Sequence, residues 1–149
     1  MSVYAFVDRP LSELDPGTRF LAWAMRNWVI DAGQRICPAA RVAAPFAACN
    51  LMSGLQPFLR LMTTLNRHGL ETMHFCRPSC PRLSEHEAIL LSLACLAADG
   101  RVAAVQAALP LLVEDEATGE ALMALDALAK AMTAADLTPN WPLPCTNPG

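Results

Sequence analysis

Residues 88–98 carry no charge, and Ser92 is their single polar side chain. Just before them, Ser84-Glu85-His86-Glu87 has capping-box spacing. In that motif a serine hydroxyl takes the third amide of a helix, and the glutamate reaches back to the serine amide. A helix that starts so sharply and is apolar around its whole circumference has to be enclosed by other elements. The segment 84–98 is therefore expected to be a central helix, and the rest of the chain to wrap it.

The remaining sequence supplies the wrapping. Asp15-Pro16 provide an N-cap and a first-turn proline for a helix running to about residue 32, with Gly33 as its stop. Its narrow polar stripe is Arg19, Arg26 and Asn27, while Phe20, Leu21, Trp23, Met25 and Trp28 occupy the other sides. A shorter helix is predicted over 39–48. The next is predicted to begin at Ser53, where Ser53 and Gln56 repeat the capping-box spacing, and to end at Gly69. Leu55, Phe58, Leu59, Met62 and Leu65 fall on its inward face. Asp99-Gly100 closes the central helix. The helix after it has Val102, Val105, Leu109 and Leu112 on one side and is kinked or ended by Pro110.

The acidic run Glu114-Asp115-Glu116 suits a helix N-terminus and reads as a solvated start, its three side chains facing different ways. The last helix then extends to about residue 135, with Leu122, Leu125, Ala129 and Met132 inward and Asp126/Lys130 paired. Short "SVYAFV" near the N-terminus reads as a strand or arm whose pairing partner would be another subunit. The tail "TPNWPLPCTNPG" is too rich in proline for a helix, and Trp141 is its natural anchor. The expected fold is all-α, an irregular or orthogonal bundle of five or six helices. It comprises a single domain over 1–137 and an extended tail over 138–149. Three short echoes (Leu11/Leu83, Arg41/Arg101, Ser53/Thr118) hint at two units, 11–69 and 83–137. Their offsets of 72, 60 and 65 disagree, whereas real repeats keep one period.

Composition narrows the function classes. Hydrophobic residues make up 54% and charged residues 17%, against about 45–50% and about 25% in ordinary soluble domains. Residues 42–59 carry no charge, but Pro45, Asn50, Gly54 and Pro57 interrupt them, so they read as buried helices and not as a membrane span. A homodimer interface is the expected destination of the apolar surplus. A net charge of −3 and scattered arginines give no support to nucleic-acid or anionic-membrane binding. The opening residues lack a secretory signal, which predicts a cytoplasmic protein with reduced thiols. Its six cysteines are then not three disulfides.

Chemistry concentrates in "HFCRPSCPRLSEHE", residues 74–87. His74, Cys76, Cys80 and His86 offer four ligands of the kind zinc prefers, although the usual distant second half of a zinc motif is missing. Cys76 and Cys80 also suit a thiol redox pair, because a turn at Arg77-Pro78-Ser79 lets their backbones approach to within about 7 Å. Arg77, Arg82 and the adjacent helix N-terminus would favour a thiolate there. The architectural alternative is a proline-stiffened crossing between helical layers, with Arg77 and Arg82 paired to Glu85, Glu87 or helix carbonyls. His68, in a last helical turn, reads as a cap, and Trp23 with Trp28 as core or as the wall of a small apolar ligand pocket. No phosphate loop, nucleophile elbow or metalloprotease helix occurs. The leading expectation is a non-enzymatic helical scaffold or regulatory protein acting through protein contacts, with no cofactor. A zinc or thiol-redox centre at His74, Cys76, Cys80 and His86 is the alternative.

Overall fold

A computed structural model describes residues 5–142. Six α-helices follow one another: α1 (Pro16–Gly33), α2 (Pro38–Ala48), α3 (Met52–His68), α4 (Glu85–Ala98), α5 (Val102–Ala108) and α6 (Thr118–Ala134). The fold is all-α, and the described residues contain no strand. None of the helices is long and apolar enough to cross a membrane.

The expected central helix is α4. Its capping box forms in full: Ser84 Oγ accepts from the Glu87 amide at 3.2 Å, and the Ser84 amide donates to Glu87 Oε1 at 2.8 Å. Every residue over 90–97 is buried. Ser92 meets its hydrogen-bonding need within the helix, donating to the Ala88 carbonyl at 2.9 Å. Around α4 lie α6, α5 and α1, while α3 and α6 form the most extensive helix pair. The rings of Phe20, Phe46 and Phe58, with centroids 5.0 and 5.3 Å apart, tie α1, α2 and α3 into the same core.

Local chemistry explains the boundaries. Asp15 caps α1 by accepting from the Gly17 amide. Pro110 ends α5 at Ala108 and tightens the chain into a 3-10 turn over Leu109–Leu111. At α3 the predicted capping box is absent. The chain turns at Asn50 with φ of 58°, and the helix begins one residue early at Met52 without a side-chain cap.

Two terminal segments fold back onto the bundle. Residues 5–8 form a turn with Phe6 fully buried, and residues 2–4 of the predicted arm lie outside the described residues. Just after the arm, residues 9–11 run alongside this chain's own crossing segment. The Leu11 amide donates to the Pro81 carbonyl at 2.8 Å, and the Leu83 amide to Arg9 at 3.0 Å. Trp141 anchors the tail as expected, donating to Asp99 Oδ2 at 2.9 Å and stacking on Phe6. The tail reaches the bundle because residue 17 is glycine: a Cβ there would lie 2.2 Å from the Leu137 carbonyl. Cys145 falls outside the described residues.

Candidate functional site: a dithiol loop on a buried ion pair

Arg26 and Glu87 are 1% and 0% exposed, and they meet across α1 and α4. Arg26 Nε donates to Glu87 Oε2 at 2.7 Å and Nη2 to Oε1 at 3.1 Å, a bidentate pair. The guanidinium has further duties. Nη1 donates to the Cys80 carbonyl and Nη2 to the Arg82 carbonyl, both at 2.9 Å. Glu87 in turn accepts the Cys76 amide at 3.1 Å as well as the Ser84 amide. One buried ion pair thus holds the crossing segment at four backbone points.

Burial opposes ionisation of Glu87, yet the Arg26 hydrogen bonds, the Ser84 amide and the Arg26 charge outweigh it and hold the carboxyl below its usual range. For Arg26 burial again acts against the charge, and Glu87 more than compensates, raising the guanidinium. The pair is ionised on both sides.

The loop carried by this pair turns between Arg77 and Cys80, where the Cys80 amide donates to the Arg77 carbonyl at 2.9 Å. The turn sets Cys76 and Cys80 close enough for their thiols to interact. Both are free and half-buried. Their acidities diverge. Burial, the Cys80 thiol and the Glu87 charge push Cys76 up to about 11. Hydrogen bonding with the Arg82 backbone and with Cys76 lowers Cys80, and the Arg26 charge adds to this. The Cys80 sulfur lies 3.3 Å from the Arg82 carbonyl.

The two histidines form a second pair. His86 Nδ1 accepts the His74 amide at 2.8 Å, and His86 Nε2 lies 3.1 Å from Glu71 Oε1. Ser84 Oγ also donates to the His74 carbonyl at 2.8 Å, and the two imidazole centroids are 5.8 Å apart. The four candidate ligands are therefore arranged sulfur beside sulfur and imidazole beside imidazole. Both His86 ring nitrogens have protein neighbours. Among the described residues, the one gathering of three or more His, Cys, Asp or Glu donors within 4.8 Å lies elsewhere, at His68, Glu114 and Glu116.

The arginines differ from expectation. Arg82 turns outward to Asp8, donating to its carbonyl at 2.9 Å, while Arg26 takes the carboxylate of Glu87. The narrow polar stripe of α1 does not stay in water throughout: Arg26 and Asn27 on it are buried. Trp28 lines an open groove of about 540 Å³ with Met62, Leu65, Asn66, Met73 and Phe75, whereas Trp23 packs on Phe20. No family model matches this chain, and neither a curated protein nor a solved structure is significantly similar to it.

Proposed function

We propose that this protein is a thiol-redox module in which Cys76 and Cys80 cycle between a dithiol and a disulfide. The observation that carries the reading is geometric: two free thiols flank one tight turn, the Cys80 amide donating to the Arg77 carbonyl, and the buried Arg26–Glu87 pair pins the backbone of both cysteines. Cys80, as thiolate, attacks a disulfide RSSR′ and expels RS⁻, leaving a mixed disulfide on Cys80. Cys76 loses its proton, attacks the Cys80 sulfur and expels R′S⁻. The balance is one dithiol plus RSSR′ giving one protein disulfide plus two thiols. A resting dithiol fits a reducing compartment such as the cytoplasm.

The arrangement of like beside like favours the dithiol over a four-ligand zinc site at His74, Cys76, Cys80 and His86, because zinc would have to displace a neighbour of His86. Both readings meet in one experiment. Protein purified without chelator is equilibrated with reduced and oxidised glutathione, then its free thiols are counted and its metal content measured. The expected result is reversible loss of two thiols, abolished by either Cys76→Ser or Cys80→Ser. Stoichiometric zinc in the native protein, or thiol loss that ignores both variants, would overturn the proposal.

A second reading, a homodimer acting through protein contacts, is supported by two large side chains on neighbouring segments. Leu70 is 55% exposed and Leu111 77% exposed, and the Leu70 amide donates to the Leu112 carbonyl at 2.9 Å. Light scattering is expected to give twice the chain mass, and Leu111→Asp to shift it to the single-chain value. A single-chain mass for the natural protein at high concentration would remove this reading.

A further inference from the structure

The sequence placed His68 as a cap and Glu114 to Glu116 as a solvated helix start, but the fold brings them together. His68 closes α3, and the two glutamates lie in the segment that leads into α6. The Glu114 amide donates to the His68 carbonyl at 2.9 Å, next to a backbone bridge between Gly69 and Val113. The segments bearing the three side chains are thereby fixed side by side. Within that frame one imidazole nitrogen and two carboxylate oxygens lie within 4.8 Å of one another, and His68 Nδ1 is 3.4 Å from Glu114 Oε2. Among the described residues, the one ion pair made by either glutamate is His68–Glu114. Two carboxylates and one imidazole thus converge at the junction of the two segments.

We infer that His68, Glu114 and Glu116 form a binding site for a divalent transition-metal ion, separate from the thiol loop. One nitrogen and two oxygens on one side of an ion make a donor set suited to zinc, cobalt or manganese and unsuited to soft, thiolate-seeking metals. Glu114 and Glu116 are exposed, so the outward coordination positions are open to water or a small anionic ligand. An ion there would join the last turn of α3 to the start of α6, at one end of the most extensive helix pair in the bundle.

Cobalt(II) is the probe, because its spectrum separates oxygen and nitrogen ligands from sulfur. The natural chain and a Cys76→Ser/Cys80→Ser variant are titrated with cobalt(II), by absorbance and calorimetry. The expected result is one equivalent bound in both, with no sulfur-to-cobalt charge-transfer band in the double variant. His68→Ala and Glu116→Gln, made in that double variant, should each weaken binding by at least about tenfold. Glu116 is exposed, so Glu116→Gln keeps the test valid even if His68→Ala disturbs α3. The inference is overturned if the double variant shows no saturable binding, or if Glu116→Gln binds as tightly as its parent.

Discussion

Replacing Arg26 by methionine is expected to lower stability by about 3–5 kcal/mol, the usual cost of removing one partner from a buried ion pair. Methionine fills similar space, so the loss comes from charge and hydrogen bonding and little from a cavity. Glu87 would be left ionised in an apolar site, and the Cys80 and Arg82 carbonyls would lose their donor. For a chain of this size the melting temperature should fall by about 6–20 °C. The pH dependence separates this cause from general damage. In the natural protein the carboxyl of Glu87 is held below its usual range, so its contribution is complete above the unfolded value of about 4.3. That contribution is lost as pH falls through the folded value. In Arg26→Met the unpaired carboxyl is instead pushed up, and its penalty disappears once it is protonated. The difference in melting temperature between the two proteins should therefore shrink from pH 7 to pH 3. A gap that stays constant over that range would mean the ion pair is not what Arg26 contributes.

Adding Glu87→Gln to Arg26→Met tests the same point at neutral pH. A neutral amide keeps the reach that caps Ser84 and removes the stranded charge, so the double variant should be more stable than Arg26→Met alone. The reverse order would place the loss in packing between α1 and α4.

The bundle was legible where local signals agreed with burial. The Ser84/Glu87 box and the uncharged run behind it specified both where α4 begins and that it is central, and the structure departs from neither. Pro110 and the Asp126/Lys130 pair, 2.8 Å apart, likewise act through neighbours in sequence. What could not be read were contacts made across the fold. Arg26 and Glu87 are separated by sixty-one positions and His68 and Glu114 by forty-six. A periodic pattern assigns a polar residue to a face, but tertiary packing decides whether that face meets water or another charge. The polar stripe that carries Arg26 meets Glu87 and not water for this reason. The acidic run misled differently: adjacent residues on a regular helix diverge, but Glu114 is not helical, its backbone turning at ψ of 147° ahead of the 3-10 turn over Asp115–Ala117, and its carboxylate comes within 4.8 Å of that of Glu116. Cys76 and Cys80 were visible as a pair, whereas the unequal environments of the two sulfurs depend on the ion pair beneath them.

That inequality gives the largest kinetic effect expected of the molecule. Iodoacetamide reacts with thiolates, so at pH 8 its order of attack should report the two environments directly. Cys76, pushed up to about 11, is ionised to only about one part in a thousand at that pH. Hydrogen bonding lowers Cys80 below the ordinary thiol range, so it is the more ionised of the two. The less basic sulfur is intrinsically a weaker nucleophile, which returns part of that advantage. The net expectation is alkylation of Cys80 several times faster than Cys76, read by peptide mass spectrometry at short times. Buried Cys95, whose thiol is pushed far up by its apolar surroundings, should be inert on this scale. Arg26→Met should slow alkylation at both sulfurs, since the guanidinium charge favours the thiolate at each. Equal rates at Cys76 and Cys80 in the natural protein would mean that the loop does not distinguish its two thiols. The assignment of Cys80 as the attacking group would then fail, even if a disulfide between the two still formed.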